Sequence, residues 1–148
     1  RVFQHSKRTH AHFCVAMVDI DKFKSVNDTY GHLTGDRVLK ALSQLLEQRL
    51  RSTDYIGRFG GEEFMLVLPD VSINDAGKLV NELRRAFSAI KFKEDDVEFT
   101  VSFSAGLAEN SGMDNFIEQI KMADEALYKA KNRGRNLVCA SLSGDTNQ

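Results

Sequence analysis

The sequence predicts an α+β domain in which one mixed β-sheet carries helices packed against it. Three observations support that class. Apolar residues switch between period-two and helical spacing in the order β-α-α-β-β-α-β-α-β. A glycine pair joins two of the strands. The 148 residues, 42% apolar and 28% charged, suit a single domain with a core of its own.

The first strand, Phe13 to Ile20, is almost continuously apolar, the pattern of a central strand covered on both faces, and it ends at Asp19-Ile20-Asp21. A short charged helix around Asp21 to Tyr30 is closed by Gly31. A long helix follows from about Thr34, with Val38, Leu39, Leu42, Leu45, Leu46 and Leu50 at helical spacing. Asp54 to Phe59 and Phe64 to Leu68 flank Gly60-Gly61, a hairpin signal because both glycines tolerate positive φ, and Pro69 ends the second of these strands. Ser72 with Asp75 three residues on resembles a capping box for a helix whose stripe includes Ala76, Val80, Leu83 and Phe87.

Val97 to Ala108 reads as one further strand, with Val97, Phe99, Val101 and Phe103 alternating against polar neighbours. Asp114 can start a last helix that buries Phe116, Ile117, Ile120, Ala123, Leu127 and Ala130, ends near Gly134 and leads into a short strand, Asn136 to Cys139. This order is the ferredoxin-like arrangement, which also forms nucleotidyl-cyclase and nucleotidyl-transferase palms. Phe99 and Phe103 are expected in the core and not on an open base-stacking face.

Twenty Lys and Arg balance 21 Asp and Glu, so no global field attracts nucleic acid or anionic membrane and any phosphate binding must be local. Nucleic acid and membrane are therefore not expected as partners of this segment. No apolar run approaches the ~18 residues of a membrane span. Cys14 and Cys139 sit in strand-like segments without metal-ligand or redox spacing, so a reducing, cytoplasmic setting is expected. The basic stretch Arg1 to His12 reads as a cut into a longer protein that could itself be membrane-anchored. Residues 142–148 read as a disordered tail behind a domain spanning 1–141.

The sharpest chemical feature is acidic. Asp19 and Asp21 close the first strand, and Glu62 and Glu63 follow the glycine turn. If those strands are neighbours the carboxylates converge, and packed anions repel unless a cation lies between them. A hard divalent metal suits such oxygen ligands, and a pair of ions can hold both the attacking and the leaving oxygens in phosphoryl transfer. Taken alone, the four acids read equally well as solvated charges at strand ends.

Three blocks of residues decide between these. Arg58-Phe59-Gly60-Gly61-Glu62-Glu63-Phe64 resembles the signature of GGDEF-family diguanylate cyclases, in the variant with glutamate in third position. Upstream, Asp19-Ile20-Asp21-Lys22-Phe23-Lys24, Val26-Asn27-Asp28, Tyr30-Gly31-His32 and Gly35-Asp36 resemble the family's first motif. Downstream, Ala123-Asp124-Glu125-Ala126-Leu127-Tyr128-Lys129-Ala130-Lys131 with Gly134-Arg135-Asn136 resembles its closing motif. The family's opening Asp-x-Leu-Thr-Gly-Leu-x-Asn-Arg segment is missing before Arg1, as expected of an N-terminally truncated domain.

The resemblance implies a homodimeric enzyme that joins two GTP into cyclic di-GMP, with two Mg²⁺ per active site and Mn²⁺ as a substitute. It implies metal binding by Asp19, the Ile20 carbonyl and Glu63, with Glu62 either joining them or acting as base toward the 3′-hydroxyl. Asp21 is expected to support the metal ligands from behind or to be structural, and not to bind a metal itself. Asn27 and Asp36 would take the guanine edge, with His32 in the same pocket. The turn Lys22-Phe23-Lys24 would present N–H groups to the phosphates, the Lys24 ammonium would stabilise the transferring group, and Lys131 and Arg135 would complete the clamp. Arg51 and Asp54, an Arg-x-x-Asp pair, would form a product-inhibition site for cyclic di-GMP. Two other classes compete: a receptor of the same fold that binds GTP or cyclic di-GMP without turnover, and a nucleic-acid-binding module.

Overall fold

The structure, a computed structural model, describes residues 12–110 and 115–141. The stretch before His12, the expected tail from residue 142 and the expected helix start at Asp114 lie outside the described residues. Strand β1 (Phe13–Ile20) is the centre of a five-stranded sheet of order β2-β3-β1-β6-β7, built with β2 (Tyr55–Phe59), β3 (Glu63–Pro69), β6 (Phe103–Glu109) and β7 (Val138–Ala140). All eight β1 residues are buried, which is why the strand shows no polar alternation. Both of its neighbours run antiparallel to it, and β7 lies parallel to β6 after the crossover through α4 (Phe116–Asn132).

The two faces of β1 serve two cores. Cys14, Ala16, Val18 and Ile20 face the larger one, shared with α1 (Phe23–Tyr30), α2 (His32–Arg49) and α3 (Ile73–Ser88). Phe13, Val15 and Met17 face the smaller one, with Met65 and Val67 of β3 and Ala123 and Leu127 of α4. Asp19 continues the second row and so belongs to the α4 face. Helix α4 can come this close because β6 carries Gly106, where a Cβ would strike the Ala123 carbonyl and the Leu127 amide of the helix.

The helix starts follow their caps. Ser72 Oγ accepts from the Asp75 amide at 3.1 Å, as expected, while Asn115 caps α4 by accepting from Glu118 at 3.1 Å. Only the expected strand from Val97 to Ala108 divides. Its first part is β5 (Val97–Phe99), which pairs with β4 (Phe92–Glu94) in a separate two-stranded sheet, and β6 begins at Phe103. The alternation of apolar residues runs on through the break. What interrupts the pairing is Ser102, whose carbonyl accepts from the Asp21 amide and whose hydroxyl turns to the Asp21 carboxylate. Phe103 is fully buried, as expected, whereas Phe99 is partly buried and stacks on Tyr30 at 3.9 Å. Among the described residues, no helix is long and apolar enough to cross a membrane.

Candidate active site

Sheet register brings the acids together. Asp19 of β1 stands directly opposite Glu63 of β3, and Asp19 is only 3% exposed. The Glu63 carboxyl is pushed above the usual carboxylate range by burial first, then by its hydrogen bond to Asp19 and by the negative charges of Asp19 and Asp124, with Lys131 opposing. Lys131, in the last turn of α4, places Nζ 2.8 Å from Asp19 Oδ2. Two carboxyls this close hold a shared proton or a cation, and a lysine ammonium now supplies part of the positive charge. The donors are all oxygens, so the pair fits a hard divalent ion and not a thiophilic one.

The glycine turn aims Glu62 and Glu63. Phe59 pairs with Glu63, so the hairpin loop is Gly60-Gly61-Glu62 and not the glycine pair alone. Of the two glycines, Gly60 uses the freedom to take positive φ, at 55°, and Gly61 does not. A Cβ on Gly61 would meet open space, so the chain itself does not need glycine there. Arg58 braces the loop by donating to the Gly61 carbonyl at 2.8 Å, and the Ile20 amide donates to the Glu62 carbonyl at 3.2 Å, tying the turn to the end of β1. Ile20 and Glu62 thereby lie beside the Asp19–Glu63 pair.

Asp21 is structural, as expected. Its buried carboxylate accepts from Ser102 Oγ at 2.7 Å, Ser104 Oγ at 2.6 Å and the Asn136 amide at 3.0 Å. One side chain thus joins the end of β1, the start of β6 and the loop after α4. Asp21→Ala removes that common acceptor, and with buried donors left unsatisfied the chain is expected to lose about 3 kcal/mol of unfolding free energy in urea titrations.

Asn27, His32 and Asp36 gather around the start of α2. The Asn27 amide lies over Gly35, where a Cβ would occupy the position of its Oδ1. His32 is exposed at the first residue of α2. Asp36 lines a cleft of about 430 Å³ between α2 and the β2–β3 hairpin, together with Leu39, Lys40, Arg58 and Phe64. At the other helix start, Lys22 has the left-handed φ of 54° and caps α1 without a side-chain bond, so Phe23 and Lys24 open the helix with their amides. Arg135 shares with Lys22 a second cleft, of about 440 Å³, and has a φ of 65°.

Two groups stand apart from the acids: Lys24, expected at the phosphates, and the Arg51–Asp54 pair, expected as a separate site. Lys24 is exposed on α1 and pairs with Asp28 at 3.0 Å. Arg51 and Asp54 precede β2, at the end of the hairpin away from Gly60, and bind one another at 2.8 Å. Arg51 also donates to the Pro69 carbonyl at 2.6 Å, and the Asp54 side chain is almost wholly covered. Sequence reasoning gave no role to Asp124, whose charge acts on Glu63. Its signal was present, since Asp124 and Lys131 are seven residues apart on α4 and therefore share a face.

Comparison with known proteins identifies the family. Residues 1–137 match the family described as diguanylate cyclase, GGDEF domain. The chain is 41% identical over 139 residues to the diguanylate cyclase DosC of Escherichia coli, covering 93% of this chain and 30% of that protein. It is 42% identical over 122 residues to DgcP of Pseudomonas aeruginosa, covering 82% of this chain and 18% of that protein. The chain thus spans less than a third of either relative's length. Among solved structures, the GGDEF domain of DgcB from Caulobacter crescentus in complex with c-di-GMP superposes with a TM-score of 0.90 at 30% identity, covering 93% of this chain and 82% of that one. The active GGEEF domain of a diguanylate cyclase from Vibrio cholerae gives 0.88 at 33% identity, covering 96% and 90%. With its sheet order, its paired acids at the glycine hairpin and these matches, the chain belongs to the GGDEF domain family of diguanylate cyclases.

Proposed function

We propose that this domain condenses two GTP into cyclic di-GMP and two pyrophosphates, each subunit of a homodimer holding one GTP. The 3′-oxygen of each nucleotide attacks the α-phosphorus of the other; a P–O bond forms to that oxygen, and the bond to pyrophosphate breaks. The observation that carries the reading is the Asp19–Glu63 carboxyl pair, held beside Lys131 at the mouth of the glycine hairpin. One subunit presents one such site, so ring closure requires a second copy facing it.

Asp19, the Ile20 carbonyl and Glu63, with Glu62 beside them, would hold two Mg²⁺ or Mn²⁺ ions, which would supply positive charge to the phosphate oxygens and acidify the hydroxyl. Glu62 or Glu63 takes the proton of the 3′-hydroxyl, and the one with an oxygen left free within about 3 Å of that hydroxyl is the base. Lys131, now on Asp19, is placed to turn to the phosphates of a bound nucleotide. The amides of Phe23 and Lys24 behind Lys22, and Arg135, complete the phosphate cradle, and Lys24 reaches it by leaving Asp28. Gly61, lacking a side chain, keeps the approach to the acids clear.

Guanine lies at the start of α2, where Asn27 and Asp36 pair with its edge and His32 lines the pocket. Asp36→Ala is expected to raise the KM for GTP about 10- to 100-fold, the worth of a hydrogen bond to a charged group, with kcat changed far less; steady-state kinetics at fixed Mg²⁺ measure it. Arg51 and Asp54 form the product-inhibition site once cyclic di-GMP draws the guanidinium away from Asp54 and the Pro69 carbonyl. The domain works in the cytoplasm, where GTP is supplied.

The test is product formation from GTP and Mg²⁺ by this chain at high concentration, or fused to a dimerising helix. Cyclic di-GMP and pyrophosphate in a 1:2 ratio are expected. A folded dimer that binds GTP or cyclic di-GMP but forms no product would overturn the cyclase reading in favour of a receptor.

A further inference from the structure

The opposite end of β1 carries a second cluster of ligating groups. His12, immediately before β1, places Nε2 3.0 Å from Glu109 Oε1 at the end of β6, and Cys14 stands directly across from Glu109 in the antiparallel register. The three ligand atoms, one nitrogen, one sulfur and one oxygen, all lie within 4.8 Å of one another. A tetrahedral ion with bonds of about 2.0–2.3 Å requires ligand atoms about 3.3–3.8 Å apart, so small side-chain adjustments suffice.

The surroundings favour a cation. Cys14 is fully buried, its Sγ now donating to the Val71 carbonyl at 3.3 Å, while His12 and Glu109 are about a third exposed and leave a path from solvent. Burial first, and the Glu109 charge second, push the Cys14 thiol up to about 12. A bound cation reverses the second cause and deprotonates a coordinating thiol outright. Neighbouring backbone is held on both sides, since the Phe13 amide donates to Asn110 Oδ1 at 2.8 Å and the Asp70 amide to the His12 carbonyl at 2.8 Å. Cys14 and Glu109 therefore sit on paired strands, and His12 directly beside them.

We propose that His12, Cys14 and Glu109 form a zinc-class metal site, distinct from the carboxyl pair that binds the hard ions of catalysis. A mixed imidazole, thiolate and carboxylate set suits Zn²⁺ and disfavours Mg²⁺, and three protein ligands leave the fourth position to water. Cys14 and Asp19 are five positions apart on an extended strand, roughly 16 Å, so the two sites bind independently. The ion fastens β1 to β6 at the point where the chain enters the sheet.

The test uses the full 148-residue chain in excess Mg²⁺, titrated with Zn²⁺ against a chromophoric chelator and with Co²⁺ as a spectroscopic substitute. One equivalent should bind, with a thiolate-to-cobalt charge-transfer band. Cys14→Ser should abolish the band, and His12→Ala and Glu109→Gln should each weaken binding by at least about tenfold. The Asp19→Asn variant, which disables the catalytic acids, should bind Zn²⁺ as the parent does. Absence of the charge-transfer band overturns the site, as does Zn²⁺ affinity unchanged by His12→Ala and Glu109→Gln. Those two partly exposed positions keep the test decisive should Cys14→Ser fail to fold.

Discussion

Glu63→Gln is expected to cut cyclic di-GMP formation by about 10²- to 10⁴-fold, the range for loss of a positioned acid-base group, and to do so in kcat. Glutamine preserves the size of the side chain and its place opposite Asp19, so the hairpin should fold unchanged. What it removes is a negative charge that the structure holds in an unfavourable position, half-buried and beside a second carboxyl. Carboxyls so placed cluster at sites that bind a cation or move a proton. The parent is expected to melt at a higher temperature in Mg²⁺, and the same substitution should abolish that rise. Chromatography of the products with GTP at saturation measures the first effect, and thermal unfolding with and without Mg²⁺ the second. Glu62→Gln separates the roles: a base loses turnover while keeping the Mg²⁺ shift, and a metal ligand loses both. Full turnover by Glu63→Gln would refute the assignment of the carboxyl pair.

Gly106→Ala is expected to destabilise the fold by about 3 kcal/mol or more, at the top of the range for an overfilled core. The added methyl would strike backbone atoms of α4 at Ala123 and Leu127, and backbone cannot move aside as the end of a side chain can. Either the helix lifts from β6 or the strand shifts in a sheet where it is paired on both sides. The urea midpoint should fall by about 1–2 M, given ordinary slopes for a domain of this size. A catalytic consequence follows as well, because the displaced helix carries Lys131 and Asp124. Activity per folded molecule should drop although residue 106 touches no substrate. An unchanged midpoint would show that α4 is docked less tightly than this packing implies.

The elements that declared themselves in the sequence were those whose burial has a period. β1 was legible because both its faces are covered, and α2, α3 and α4 because each buries one stripe. The β4–β5 hairpin was not, since three-residue strands carry too few positions for a pattern and the alternation in β5 continues through Val101 into Phe103. At the site, Asp19 and Glu63 could be paired on paper only on the condition that their strands were neighbours, which long-range pairing alone decides. The side-chain bond of Lys131 to Asp19 and the mutual pairing of Arg51 with Asp54 depend on rotamers and on which carbonyls lie nearby, and no spacing rule contains them.

Because β1 is apolar on both faces, its hydrophobic pattern does not distinguish the observed alignment from one slipped by a single residue. Such a slip would turn Asp19 from the α4 face to the opposite one and leave Glu63 without its neighbour. Polar contacts at the two ends must therefore choose the alignment: Asp21 held by Ser102, Ser104 and Asn136 at one end, and the Phe13 amide held by Asn110 at the other. Asp21 acts as an indexing stop for the central strand, selecting the one setting of the sheet in which the carboxyl pair exists.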